Sequence, residues 1–154
     1  MVVTEDDYIS EIRKAADGEI QGEVIFKALA EIAGEEHRHK LDLLAALEAR
    51  TTAELEALIA RYGIALSDTN VAEGEAFARK YAGKTYREIL EDWAKWIPDY
   101  VALYDRLADG ARPSDKKALD FLAAHERAID RFIGLELAGK TDDAVAVLSS
   151  LLEK

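Results

Sequence analysis

Apolar residues recur along this chain every three to four positions over long stretches, and no segment alternates in the period of two that a half-buried strand requires; an all-α fold is predicted. The first stretch reads as a helix from about Glu5 to Ala33, with Thr4 placed to cap its start and Gly34 to end it. Ile12, Ala16, Ile20, Phe26 and Ala30 share one of its faces. After a turn through Glu35 and Glu36, a second helix runs to about Tyr62 and stops at Gly63, so it should fold back antiparallel on the first. The segment Gly63–Lys84 holds the start signal Ser67-Asp68-Thr69-Asn70, a short helix over Val71 to Tyr81, and Gly83. That is enough chain to travel the length of a bundle, which lets the flanking long helices run parallel. A third long helix is expected over about Thr85 to Ala108, kinked at Pro98, and a fourth over about Ser114 to Ala138. Thr141 should cap a short fifth helix that sets Val145, Leu148 and Leu152 on the bundle. No break in the pattern divides the chain, so residues 1–154 are expected to form one domain.

Polar residues interrupt the stripes at one level. Glu48 projects into the middle of the band formed by Leu41, Leu44, Leu55, Ile59 and Tyr62. Glu19 and Glu23 lie inside the apolar arc of the first helix, and Glu23 and Glu48 are nearly equidistant from the turn that joins the two helices. On the fourth helix His125 and Glu126 flank the stripe of Ala118, Leu122, Ile129, Phe132 and Ile133, with Glu136 further along the same face. Burying an unpaired carboxylate costs several kcal/mol, so a proton, a hydrogen-bond partner or a cation has to accompany each of these groups. Oxygen donors with one imidazole suit iron, manganese or zinc, and helical bundles build such sites from inward carboxylates. The same residues also fit a metal-free hydrogen-bonded network, with Tyr100, Tyr104 or Thr51 as partners. The third helix turns an aromatic face inward, with Trp93, Trp96, Tyr100 and Tyr104, and presents no carboxylate. A pocket beside Pro98, walled by Trp96, Tyr100 and Thr51 and anchored by Glu48 and His125, is a further reading that admits a small organic ligand. The literal Glu36-x-x-His39 spacing sits at the inter-helix turn, where Glu36, His37 and His39 read as solvated.

Composition removes several alternatives. The chain has no cysteine, which rules out thiolate metal sites and thiol nucleophiles. A net charge of −11 without a Lys/Arg cluster argues against nucleic acid. No apolar run approaches the roughly 18 residues of a membrane span, and Met1-Val2-Val3-Thr4 lacks the flank of a signal peptide, so a cytoplasmic protein without a membrane partner is expected. Homodimerisation through an outer helix face is expected for a bundle of this size.

The layout and the residues Gly18-Glu19, Gly22-Glu23, Leu47-Glu48, His125-Glu126, Arg131-Phe132 and Glu136 make the chain resemble the ferritin-like superfamily of rubrerythrins and bacterioferritins along almost its whole length. The resemblance implies a four-helix bundle with a long crossover and a short fifth helix. It also implies a carboxylate-bridged metal site with iron or manganese as cofactor, to which Glu23, Glu48, His125 and Glu126 contribute and which Glu19 supports from behind. Thr51 and Ile129 stand where that pattern has its two histidines, and the third helix lacks its glutamate. One or two metal ions in an altered site, and an oxidoreductase activity, are therefore what the resemblance suggests; the alternative is a metal-free bundle that acts by binding a partner or a small ligand.

Overall fold

The computed structural model describes residues 4–154. Every element among them is helical: α1 Glu5–Ile32, α2 Glu35–Arg61, α3 Asn70–Arg79, α4 Tyr86–Trp93, α5 Ile97–Asp109, a 3-10 turn Pro113–Asp115, α6 Lys116–Leu137 and α7 Thr141–Leu152. Thr4 caps α1, its hydroxyl accepting from the Asp7 amide at 3.1 Å, and Glu5, Asp6 and Asp7 place negative charge at the positive end of the helix dipole. Gly34 makes the turn into α2 at φ +95°, a conformation that L side chains rarely adopt.

Contacts at the two ends fix the helix directions. Tyr8, near the start of α1, packs edge-on against Tyr62, just beyond the end of α2, with ring centres 6.1 Å apart. Both phenols donate to Asp115 at the start of α6, Tyr8 at 2.6 Å, and Arg61 also pairs with Asp115. At the other end Lys40, in the first turns of α2, and Tyr86, which opens α4, each donate to Glu136 Oε2 near the end of α6 at 2.7 Å. So α1 and α6 run one way, while α2 and the α4–α5 segment run the other.

The crossover is tied down by the polar edge of α1. Asp17 Oδ1 accepts from the Ser67 amide at 2.9 Å and from Asn70 Nδ2 at 2.8 Å. Gln21 Nε2 donates to Asn70 and Glu73. Gly74 lets α3 press its backbone on α1, since a Cβ there would fall 2.9 Å from Val24 Cβ and 3.0 Å from the Gln21 carbonyl.

The expected third helix is two helices. A turn at residues 94–96 separates α4 from α5, and Pro98 sits in the first turn of α5. The proline ring would clash with the Ala94 carbonyl in a continuous helix and has no N–H to offer, so the chain closes α4 with tighter bonds, such as Trp96 N to Trp93 O, and starts again. The short helix begins and ends slightly earlier than expected, and the 3-10 turn precedes α6 where a single helix from Ser114 was expected. Lys140 rather than Thr141 holds the N-cap position of α7, and no side chain caps that end.

Two apolar clusters make up the core. One gathers Leu29, Leu41, Leu44, Trp93, Phe132 and Ile133; the other gathers Ile12, Ala16, Leu55, Leu58, Leu119 and Leu122. Each buried large side chain contributes roughly 1.5–3 kcal/mol. Between the clusters runs a polar layer, with Glu19 on α1, Glu48 and Thr51 on α2, and His125 and Glu126 on α6, all of them buried.

Candidate metal centre

Helical spacing delivers these groups to one point. Glu19 follows Ile12 and Ala16 on the buried face of α1 at helical intervals, and Glu48 follows Leu41, Leu44 and Ala45 on that of α2. His125 and Glu126 are adjacent on α6, on a face broad enough that both are buried. His125 Nε2 lies 2.8 Å from Glu19 Oε2, 3.4 Å from Glu126 Oε2 and 3.6 Å from Glu48 Oε2. None of these approaches has the alignment of a hydrogen bond: Nε2 and Glu19 Oε2 both remain without a hydrogen-bond partner although fully enclosed. The other ring nitrogen, Nδ1, sits against the Leu122 carbonyl, one turn back on α6, which fixes the ring and turns Nε2 toward the carboxyl groups. Donor atoms from Glu19, His125 and Glu126 all lie within 4.8 Å of one another.

Electrostatics tie the groups together. Burial holds the Glu48 carboxyl well above the usual carboxylate range, and the neighbouring Glu19 adds to that; His125 opposes it. Burial also pushes Glu126 up to about 7, against the pull of His125. For His125, burial disfavours the imidazolium, but the nearby carboxyl groups of Glu19 and Glu48 outweigh it, and the ring is held well above its usual value. Without a metal, the cluster therefore balances itself with protons on Glu48 and His125. Tyr104 is close by, its ring centre 6.2 Å from that of His125, and burial followed by the three carboxyl groups raises its phenol well above the usual value.

A cavity of about 180 Å³ reaches this cluster from the break between α4 and α5. Its floor is Glu19, Glu48 and Glu126 with the bare backbone of Gly18 and Gly22; its walls include Phe26, Phe77, Trp93, Trp96, Tyr100 and Tyr104. A larger groove of about 700 Å³ between α3 and α4 carries Lys80, Lys84 and Lys95 beside Glu88, Glu91 and Asp92, and shares the edge of Phe77, Trp96 and Tyr100. It touches none of the buried carboxyl groups, so the chemistry belongs to the smaller space.

Of the residues singled out in the sequence, Glu19, Glu48, His125 and Glu126 come together and Glu23 does not. Glu23 is half-exposed and its carboxylate pairs with Lys27 at 2.6 Å, one turn along the surface of α1. Glu19, expected behind the centre, is at it, because the face that α1 buries runs through Ala15, Ala16 and Glu19. Thr51 is fully buried but bonds the Leu47 carbonyl of its own helix at 2.8 Å and lines no part of the cavity. Trp96 and Tyr100 do line it. His37 is not free in solvent: it stacks on Tyr86 with ring centres 3.8 Å apart, whereas Glu36 and His39 are exposed. Sequence reasoning missed Gly22 as part of the site and Asp115 as the buried clasp at the far end; a glycine facing a buried glutamate was the signal for the first.

Among the described residues no helix is long and apolar enough to cross a membrane. The chain matches no protein-family model, no curated protein and no solved structure.

Proposed function

We propose that the protein is a ferritin-like bundle that binds a single transition-metal ion, iron or manganese, through Glu19, His125 and Glu126. The observation that carries this is the pair of enclosed atoms without hydrogen-bond partners, Glu19 Oε2 and His125 Nε2, 2.8 Å apart in a ring of carboxyl groups. A buried polar atom without a partner costs about 1–3 kcal/mol, and a cation between the two would satisfy both at once. The Nδ1 contact with Leu122 supports the same reading, since ligating histidines commonly donate their other nitrogen to a carbonyl. Two carboxyl groups and one imidazole, with Glu48 beside them, suit one ion; the side that would complete a second offers Tyr104. A bound ion would supply Lewis acidity and one-electron redox chemistry. Metal entry would displace the protons held by His125 and Glu126.

The test is metal content per chain after growth in iron- and manganese-supplemented medium, for wild type, Glu19→Gln and His125→Gln. One ion per chain in the wild type, lost in both variants, is the expected result. Folded wild-type protein without metal overturns the proposal and favours a second reading, a metal-free interaction scaffold. The observation behind that reading is the self-neutralising arrangement of protonated Glu48 and His125.

A further inference from the structure

Gly18 is exposed midway along the 28 residues of α1, and nothing in the fold asks for a glycine there. Its backbone is ordinary helix, and a Cβ at this position would meet only the Tyr104 hydroxyl, at an ordinary contact distance of 3.8 Å. Glycine weakens a helix interior relative to alanine, so the choice costs stability without a packing reason. Gly22, one turn on, differs, because a Cβ there would crowd Glu48. What Gly18 borders is the cavity above the polar cluster.

Exposure along the lining of that cavity locates its mouth. Gly18 on α1 and Tyr100 on α5, the latter 44% exposed, are its outer members, whereas Glu19, Glu48, Trp93 and Glu126 at its inner end are buried. Glu19 and Glu126 both belong to the triad that gathers around His125. The groove between α3 and α4 and the hollow beside Tyr8 and Leu107 touch none of the three. Edge contacts hold the Tyr100 ring, its centre 5.7 Å from that of Trp96 and 6.0 Å from that of Tyr104. An exposed side chain changes rotamer quickly, so this ring swings into solvent without opening the core. The volume of about 180 Å³ holds several waters at roughly 30 Å³ each, room for a cation that still carries part of its hydration shell.

We infer that Gly18 and Tyr100 form the entrance to the metal centre: the Tyr100 ring is the moving leaf, and the missing side chain of Gly18 is the gap through which an aquated divalent cation reaches Glu19 and Glu126. Both are gate residues and neither is a ligand. The inference rests on the metal reading and adds to it the path and the residues that control it. A gate lowers or raises the barrier equally in both directions, so it sets the rates of uptake and release and leaves their ratio, the Kd, unchanged. A ligand does the reverse, since its loss shows in the Kd.

The experiment uses full-length protein stripped with a chelator and mixed rapidly with manganese(II). Both tryptophans of the chain, Trp93 and Trp96, line the cavity, so quenching of intrinsic fluorescence by the paramagnetic ion follows uptake. Mixing loaded protein with excess chelator follows release, and the electron paramagnetic resonance signal of free manganese gives stoichiometry and Kd. Gly18→Leu, which lays a side chain across the mouth, should slow uptake and release at least roughly tenfold each, with the Kd within about threefold of wild type. Tyr100→Ala should speed both, again at constant Kd; if only one variant folds, its pair of rates decides. Wild-type rates in the folded variants, or a Kd altered through release alone, overturn the entrance while stoichiometric manganese leaves the metal reading intact. Wild-type protein that takes up no manganese overturns the metal reading and the entrance together.

Discussion

Gly22 and Glu48 contend for one space across the α1–α2 interface: a Cβ at Gly22 would lie 2.9 Å from Glu48 Cδ and 3.1 Å from each carboxyl oxygen. Gly22→Ala sets two effects against each other. Alanine gains about 1 kcal/mol of helix propensity over glycine, whereas overpacking a core typically costs about 1–3 kcal/mol. Because the obstructing atoms are the tip of a side chain, Glu48 should swing aside and hold the net loss of stability to about 0–2 kcal/mol. Its carboxyl group would leave the cluster and its raised pKa would relax, so the loss of Tm between about pH 5 and pH 8 should be smaller than in the wild type. Chemical denaturation and thermal melts across that range would check this, and an unchanged pH dependence in a folded Gly22→Ala protein would contradict it.

Glu19 and His125 form the closest pair of the polar layer, with side chains only 3% and 0% exposed. Removing one partner from a buried pair strands the other charge, at a cost of about 3–5 kcal/mol, whereas replacing both relieves much of that. Glu19→Gln and His125→Gln should therefore each destabilise the metal-free protein strongly, and the double variant should lose much less than the sum. A double-mutant cycle by urea denaturation measures the coupling. Strict additivity would show that the two groups do not share a proton or a charge.

The amphipathic pattern was sufficient for the all-helical class, for the turn at Gly34 and for the return of α2 on α1, because burial of one face per helix dominates there. It was also sufficient to place Glu48, His125 and Glu126 at one level. Between Glu19 and Glu23 it could not decide: both lie within the apolar arc, one turn apart, and the choice depends on Lys27 drawing Glu23 outward and on Gly22 opening space for Glu48. The break before Pro98 was legible only as a kink, since the sequence gives no measure of whether neighbouring helices hold a proline-bearing helix together. Asp115 read as an ordinary helix-start residue, and only the tertiary approach of Tyr8 and Tyr62 makes it a clasp.

Asp115 joins α1, α2 and α6 at the end remote from the polar layer. It is covered from solvent yet shallow; burial raises its pKa, but the bonds from Tyr62 and Tyr8 and the charges of Arg61 and Arg112 outweigh that and hold the carboxyl below its usual range. Asp115→Asn keeps the shape and loses the charge-assisted bonds, each worth roughly 1.5–3 kcal/mol in net terms. A loss of about 2–4 kcal/mol is expected with no change in metal content, measured by denaturation on the same preparations. A parallel loss of ligand binding would mean that the clasp and the polar layer move as one unit.

The strongest signature of the buried cluster should be its pH dependence. Glu48, Glu126 and His125 are all shifted upward in the folded chain, so folding retains protons that the unfolded chain releases. For such groups the contribution to stability is complete below the unfolded values, about 4.3 for Glu and 6.5 for His, and is lost as pH rises through the folded values. With Glu126 at about 7 in the fold, that residue alone removes on the order of 3 kcal/mol between about pH 4.5 and pH 7. Asp115 and Glu136 are shifted downward, so their contribution is present above the ordinary carboxylate range and disappears on acidification below it. The metal-free protein should therefore be most stable near about pH 5 and lose Tm steadily toward pH 8. The growing negative charge of a chain that already carries −11 acts in the same direction, and Glu126→Gln separates the two contributions. In that variant the fall in Tm should flatten if the buried carboxyl is responsible, and persist if surface repulsion is. Metal binding requires the deprotonated ligands, so its affinity should rise over the same interval and, at saturating metal, reverse the slope above about pH 6. Thermal melts from pH 4 to 8, with chelator and then with manganese, test both halves; a Tm that is flat or rising in chelator would mean that the polar layer does not hold the protons assigned to it.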